Sequence, residues 1–364
     1  MRYRSLDSWR GLCALLVVLY HAQGKGFLGD SAFVHGAFLF VDFFFVLSGF
    51  VMCEAALTRI DSGSSLRQFL LRRLARVWPL HAFMLLAFLA LETLKLLVVQ
   101  LTGAPPTREP FSGIFVLSGF LPSLFLLHSM GLLSGLTWNG PSWSIAAEYW
   151  TYVVFGLVVW RARRRFVVVA GLLAATAAGT LVWRSTRGMD ATFDLGFVRC
   201  LYGFFVGALV HRLSQRWRLA HAPFGTGVEL AVTLGALAFV AVAFDSSLAF
   251  LSPLVFAFVI FVFAWSNGGL AKVLQTRGFT QLGLWSYSIY MTHLFLLGLA
   301  SGVASALNRA IDSPAWTGFW ETPAISDVTV LGFAGAVVLV SSVTYRLIEV
   351  PGQALLQRWA PTQA

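Results

Sequence analysis

Charged residues are scarce in this 364-residue chain: Asp, Glu, Lys and Arg together make 12%, about half the share of a typical soluble domain. Beside 58% hydrophobic residues and a mean hydropathy of +0.76, that scarcity excludes a water-soluble globule, which has no interior large enough for so much apolar surface. Lipid removes the difficulty. Acidic residues are scarcer than basic ones, 16 against 26, for a net charge of +10. The basic excess forms no tract interleaved with exposed aromatics, which argues against a nucleic-acid partner. Cysteine is limited to Cys13, Cys53 and Cys200, all in or beside apolar runs, with no CxxC and no metal-ligand spacing. Neither a disulfide framework nor a metal centre is expected. There is no repeat, linker or appended soluble segment, so 1–364 is read as one membrane domain.

What the chain has is a series of apolar runs, each long enough to cross a hydrocarbon core of roughly 30 Å as a helix. The predicted fold class is all-α: a polytopic membrane helix bundle of about ten transmembrane helices and a short interfacial helix. Crossings are placed near 8–26, 36–57, 79–101, 141–160, 166–183, 196–213, 226–244, 247–266, 284–304 and 325–347. Arg10 interrupts the first run and no small-residue cleavage site follows Tyr20-His21-Ala22-Gln23, so it is read as a retained helix rather than a leader. The segment 118–135 is apolar but contains Pro122, and is read as a half-helix or re-entrant piece. Segment 62–77 has the pattern of an amphipathic helix at the interface, with Pro79 starting the third crossing.

Arg and Lys set the orientation. Arg2 and Arg4, the cluster from Arg59 to Arg76, Arg161 to Arg165, Arg212 to Arg218, Lys272 and Arg277, and Arg346 and Arg358 all fall on one side of a ten-helix count. The opposite loops carry mixed charge, including Asp190, Asp194, Asp312, Glu321 and Asp327. Both termini are predicted cytoplasmic.

Ionisable residues inside such helices are costly and are functional candidates. Arg10 and His21 lie eleven residues apart, which returns them to one helix face about 16 Å apart along the axis. They read as a phosphate grip with a titratable imidazole deeper in, or as a snorkelling arginine with a satisfied core histidine. Asp42 sits in Val41-Asp42-Phe43-Phe44-Phe45 and suits either the orientation of an imidazole or an ion pair with an arginine. Ser48-Gly49 fit close helix packing or a local irregularity. Arg73 and Arg76, spaced i, i+3, with Arg72 form a clamp for a phosphorylated carrier or a headgroup contact. Trp143, Ser144 and Glu148 open the fourth crossing, with Ser144 and Glu148 on one face. Tyr290 and His293 share a face near mid-depth. Glu349 reads as a salt-bridge residue, and Glu92 as the partner of Lys95. His35, His81, His128, His211 and His221 are placed near loops or interfaces and assigned no chemistry.

Six stretches carry a resemblance. They are Leu6-Asp7-Ser8-Trp9-Arg10-Gly11 followed by His21; Val41 to Phe50; Arg72-Arg73-Leu74-Ala75-Arg76-Val77-Trp78-Pro79; Trp143-Ser144-Ile145-Ala146-Ala147-Glu148; Tyr287 to His293; and Tyr345 to Pro351. In this order the chain resembles the acyltransferase-3 family of membrane O-acyltransferases from end to end. Ala147 departs from the more usual residue before Glu148, and the Pro122 segment has no clear counterpart. The resemblance implies a ten-helix core in the bacterial inner membrane, acetyl-CoA or another acyl-CoA as donor, and a glycan or lipid-linked saccharide as acceptor. It makes Arg10 and His21 an essential pair and Arg73 and Arg76 an RxxR motif. No esterase-like domain follows the last helix.

The expected mechanism has the CoA phosphates held by Arg73, Arg76, Arg72 and Arg10, with the pantetheine arm reaching toward His21. His21 acts as general base, oriented by Asp42 or Glu148, or as a covalent acyl relay. His293 and Tyr290 stabilise the oxyanion, and Trp143, Ser144 and Tyr290 contact substrate. The rival class is a proton-coupled secondary transporter, against which stands the absence of an inverted repeat; a structural scaffold is a third option.

Overall fold

The computed structural model describes residues 3–103, 105–106, 108–220 and 222–358. Arg2 and His221 lie outside the described residues. The protein is 81% helical and all-α, with one isolated bridge between Phe224 and Ser266. Among the described residues ten helices are 13 residues or longer. They are α1 (Arg4–Ala22), α2 (Phe40–Ala56), α3 (Gly63–Thr102), α4 (Trp143–Ala162), α5 (Phe166–Arg184), α6 (Gly196–Ala220), α7 (Thr226–Ala243), α8 (Ser252–Ala264), α9 (Arg277–Ile311) and α10 (Pro323–Thr344).

Eight helical stretches have the length and apolarity to cross a membrane. One of them, Gly140–Arg184, is divided into α4 and α5 by a 3-10 turn at Arg163–Arg165. Helix α1 carries Arg4, Asp7, Arg10 and His21 and is not among the eight. Leu172, Val182, Trp183, Val242 and Leu339 are each more than 60% exposed. Such outward apolar side chains suit hydrocarbon and not water.

Helix α1 packs along α9, and α2 along α6. Both approaches depend on glycine. A Cβ on Gly283 would sit 2.3 Å from the Asp7 carbonyl oxygen, and one on Gly207 would stand against the backbone of Val46. Small residues at these crossings let backbones close to a distance no larger side chain allows.

Of two irregular regions, one takes a form other than expected and the other is, as expected, shorter than a full helix. The interfacial segment 62–77 and the third crossing are one 40-residue helix, α3, with Pro79 inside it. Its N-terminus is fixed by a capping box between Ser62 and Ser65, and it stops at Gly103 in the left-handed region (φ 63). At 1.5 Å per residue, α3 is about 60 Å long, twice the hydrocarbon thickness, so part of it extends beyond the core. The Pro122 segment is not a crossing. It folds as 3-10 turns at Gly113–Phe115 and Leu117–Gly119 and a five-residue helix, Phe120–Leu124. Leu126 and Trp138 adopt positive φ there, which no apolar helix tolerates. The fold then ends in a π-turn, Tyr345–Glu349, and a short helix, Val350–Gln357, packed on α3.

Candidate active site

The Arg10 and His21 side chains project from the same face of α1 onto α9. Arg10 donates through Nε to Ser286 Oγ at 2.8 Å and through a terminal nitrogen to the Gly283 carbonyl at 2.8 Å; Asp7 lies 3.5 Å away. Three turns further along, His21 meets His293 of α9. His21 Nδ1 is 3.2 Å from His293 Nε2 and 2.9 Å from the Val17 carbonyl, and His293 Nδ1 is 3.2 Å from the Ile289 carbonyl. The rings lie 4.9 Å apart at 52°.

Those contacts assign the tautomers. A carbonyl oxygen only accepts, so the proton on His293 is at Nδ1 and its Nε2 carries a lone pair. The N–H at His21 Nδ1 is donated to the Val17 carbonyl at 2.9 Å, with the His293 lone pair as a second, longer acceptor of the same proton at 3.2 Å. His21 Nε2 is left unprotonated and without a hydrogen-bond partner among the described residues. A lone-pair nitrogen held in one orientation is a base or a nucleophile.

A cavity of about 420 Å³ opens beside this pair, within the range of small-molecule sites. Arg10, Arg73 and Arg76 line it together with Glu148, Ser144, Tyr152 and Tyr290. Three guanidiniums and one carboxylate thus face the cavity, with Asp7 and Glu349 close behind Arg10 and Arg76. Arg73 and Arg76 share a face of α3, as their spacing predicts, and Arg76 also lies 3.9 Å from the buried Glu349. Arg72 does not reach this cavity; with Arg59, Arg73, Ser65 and Gln68 it lines an adjoining recess of about 130 Å³. At the inner end Tyr290 shares a hydrogen bond of 2.9 Å with Ser144 and packs edge-on to Phe44. Neither His21 nor His293 lines the cavity; Tyr290 does, and its ring is 5.9 Å from that of His293.

Several residues sit elsewhere than their expected roles require. Asp42 does not touch His21. Its carboxylate accepts from Arg199 at 2.8 and 2.9 Å and from Ser252 at 2.8 Å, wholly buried. A bare carboxylate at that depth needs a cation, and Arg199 on α6 supplies it. Glu148 accepts from Tyr152 at 2.6 Å and faces the arginines rather than the imidazole. The side chain nearest the His21 ring is another histidine, His293, and neither carboxylate reaches it. Trp143 is buried against Phe45, with the Arg199 guanidinium 5.5 Å from its ring, and does not line the cavity. Arg199, Tyr152 and Ser286 were not singled out from sequence. Arg199 stands alone in an apolar run, Val198-Arg199-Cys200, and that isolation was the readable signal. His81, His128 and His211 are buried, His128 within the loop that precedes α4: His81 contacts the Ser123 carbonyl, His128 the Ser142 hydroxyl and His211 the Glu54 carboxylate. Glu92 does pair with Lys95, at 2.7 Å, and with Arg108 at 2.5 Å.

The described residues thus form a polytopic helix bundle that holds a paired imidazole and, close by, an arginine-lined cavity. The profile of a family described as an acyltransferase domain matches residues 3–345, so the chain belongs to the acyltransferase-3 family. It is 28% identical to acyltransferase MdmB of Streptomyces mycarofaciens over 82% of this chain and 79% of that protein. It is equally identical, 28%, to the exopolysaccharide production protein ExoZ of Rhizobium meliloti over 80% of this chain and 84% of that protein. The peptidoglycan O-acetyltransferase OatA of Listeria monocytogenes is 26% identical over 42% of this chain and 23% of its own length. No solved structure matches. The enzyme is an O-acyltransferase of the membrane.

Proposed function

We propose that the enzyme moves an acyl group, acetyl in the first instance, from acyl-CoA to a hydroxyl of a glycan or lipid-linked saccharide at the bacterial inner membrane, with both termini in the cytoplasm. The observation that carries this is the His21–His293 pair, which leaves one unprotonated nitrogen near an arginine-lined cavity. Arg73, Arg76 and Arg10 hold the donor phosphates, and Arg72 extends that grip into the adjoining recess. The acyl arm lies along the cavity toward Ser144 and Tyr290. It reaches the imidazole when the Tyr290 side chain leaves Ser144 and turns aside.

His21 Nε2 then takes the proton of the acceptor hydroxyl, and the oxygen attacks the thioester carbonyl carbon. The C–S bond breaks as the tetrahedral intermediate collapses, and the thiolate takes the proton back from the imidazolium, giving an ester and free CoA. His293 keeps the ring in its productive tautomer and shares the charge while it exists. The glycan acceptor rests on two relatives, one named for exopolysaccharide production and one for peptidoglycan O-acetylation.

The test is transfer of radiolabelled acetyl from acetyl-CoA by the purified protein to glycan-bearing acceptor, compared with His21→Ala. The expected loss is roughly 10²–10⁴-fold, with an unchanged melting temperature. A folded His21→Ala variant with full activity would refute the assignment.

A further inference from the structure

A second cation-lined cavity, of about 390 Å³, has no part in the reaction above. Arg163, Arg164 and Arg165, from the turn joining α4 to α5, and Arg212 of α6 stand round it with Leu57, Thr58 and the first residues of α5, Phe166, Val167 and Val168. The four arginines are solvent-exposed like charges gathered round one recess, an arrangement that a bound anion would stabilise. Among the described residues none of the four makes an ion pair or side-chain hydrogen bond, and Asp61 lies within electrostatic range of Arg163 but not in ion-pair contact. The first residues of α5 follow the turn directly and form part of the same recess. One lip is polar and the other is apolar: Val168 and Leu172 are 63% and 62% exposed, in line along the lipid-facing side of α5.

We propose that this bowl binds an anionic phospholipid, its headgroup phosphates on the four arginines and an acyl chain along Val168 and Leu172. Four guanidiniums match two phosphates, so a diphosphatidyl lipid of the cardiolipin type fits better than a lipid with a single phosphate. A soluble phosphate has no use for the apolar lip, and that separates the two sources of the same chemistry.

The experiment is native mass spectrometry of the purified full chain titrated with cardiolipin, phosphatidylglycerol or phosphatidylcholine. It uses the natural protein and two triple variants, Arg164→Gln/Arg165→Gln/Arg212→Gln and the same three positions changed to Lys. The expected order is cardiolipin, then phosphatidylglycerol, then phosphatidylcholine. The Gln variant should bind cardiolipin about a hundredfold more weakly, while the Lys variant retains most of the binding and shows that the Gln effect is not misfolding. Inorganic pyrophosphate and coenzyme A serve as soluble competitors, and neither should displace the lipid. Equal retention of all three lipids, or cardiolipin binding unchanged in the Gln variant, overturns the proposal. Displacement by pyrophosphate or by coenzyme A overturns the lipid as occupant, in favour of a free anion or an extension of the donor site.

Discussion

The Asp42–Arg199 pair offers a sharp test, because a catalytic and a structural carboxylate respond differently to one pair of substitutions. Asp42→Asn keeps the shape of the side chain and removes its charge. The two hydrogen bonds from Arg199, at 2.8 and 2.9 Å, lose their ionic character, and the guanidinium remains fully buried without a counter-ion. Breaking a buried pair by neutralising one member costs about 3–5 kcal/mol, which is roughly a hundred- to several-thousand-fold in the folded-to-unfolded ratio. The single variant should therefore melt lower in detergent and lose transfer activity in step with the folded fraction. The double variant Asp42→Asn/Arg199→Met removes both charges and replaces the guanidinium with an apolar chain. Such replacements are often neutral or stabilising, so the melting temperature should recover and acyl transfer with it. Activity of the double variant, normalised to folded protein, is the deciding measurement. A double variant that melts like the natural protein but transfers no acyl group would refute the reasoning and return Asp42 to the chemistry.

Three further outcomes follow from the geometry. Arg73→Ala should raise KM for acyl-CoA with a smaller effect on kcat, since it removes a cavity-lining guanidinium; steady-state kinetics at varied donor would expose the opposite split. Gly283→Val should destabilise the fold by about 1–3 kcal/mol through overpacking, because its Cβ would press on the Asp7 carbonyl, and a thermal melt measures this. Tyr290→Phe deletes the hydroxyl that Ser144 holds, so the inner end of the cavity should open more readily; stopped-flow acylation should show a faster approach to the steady state, and no change would argue against Tyr290 as the barrier.

The long helices were legible because lipid makes apolarity continuous along each one, so the pattern of runs was enough to place most of the ten longest among the described residues. The short segments were not. Residues 118–135 are as apolar as a crossing, and only the turns around Leu126 and Trp138, with their positive φ, keep them from being one. Periodicity gave the shared face of Arg10 and His21 and the shared face of Arg73 and Arg76, both local properties of one helix. Partners across helices were a different matter. Nothing in the neighbourhood of Asp42 names Arg199, 157 residues away, and nothing near His21 names His293, 272 residues away. These choices depend on which helices lie side by side. Of the two roles open to Asp42 from sequence, an imidazole orienter or an arginine partner, the structure takes the second, because a buried arginine makes the stronger claim on a buried acid.

Helix α3 has a mechanical consequence. Arg73 and Glu92 stand nineteen residues apart on one unbroken helix, about 29 Å along its axis, so a single rod carries the cavity-lining arginines near one end. Toward the other end Glu92 fastens the 108–111 loop, through Arg108 and the backbone N–H of Phe111. A tilt of that rod at the cavity would swing the fastened loop the opposite way, which makes the two a single lever.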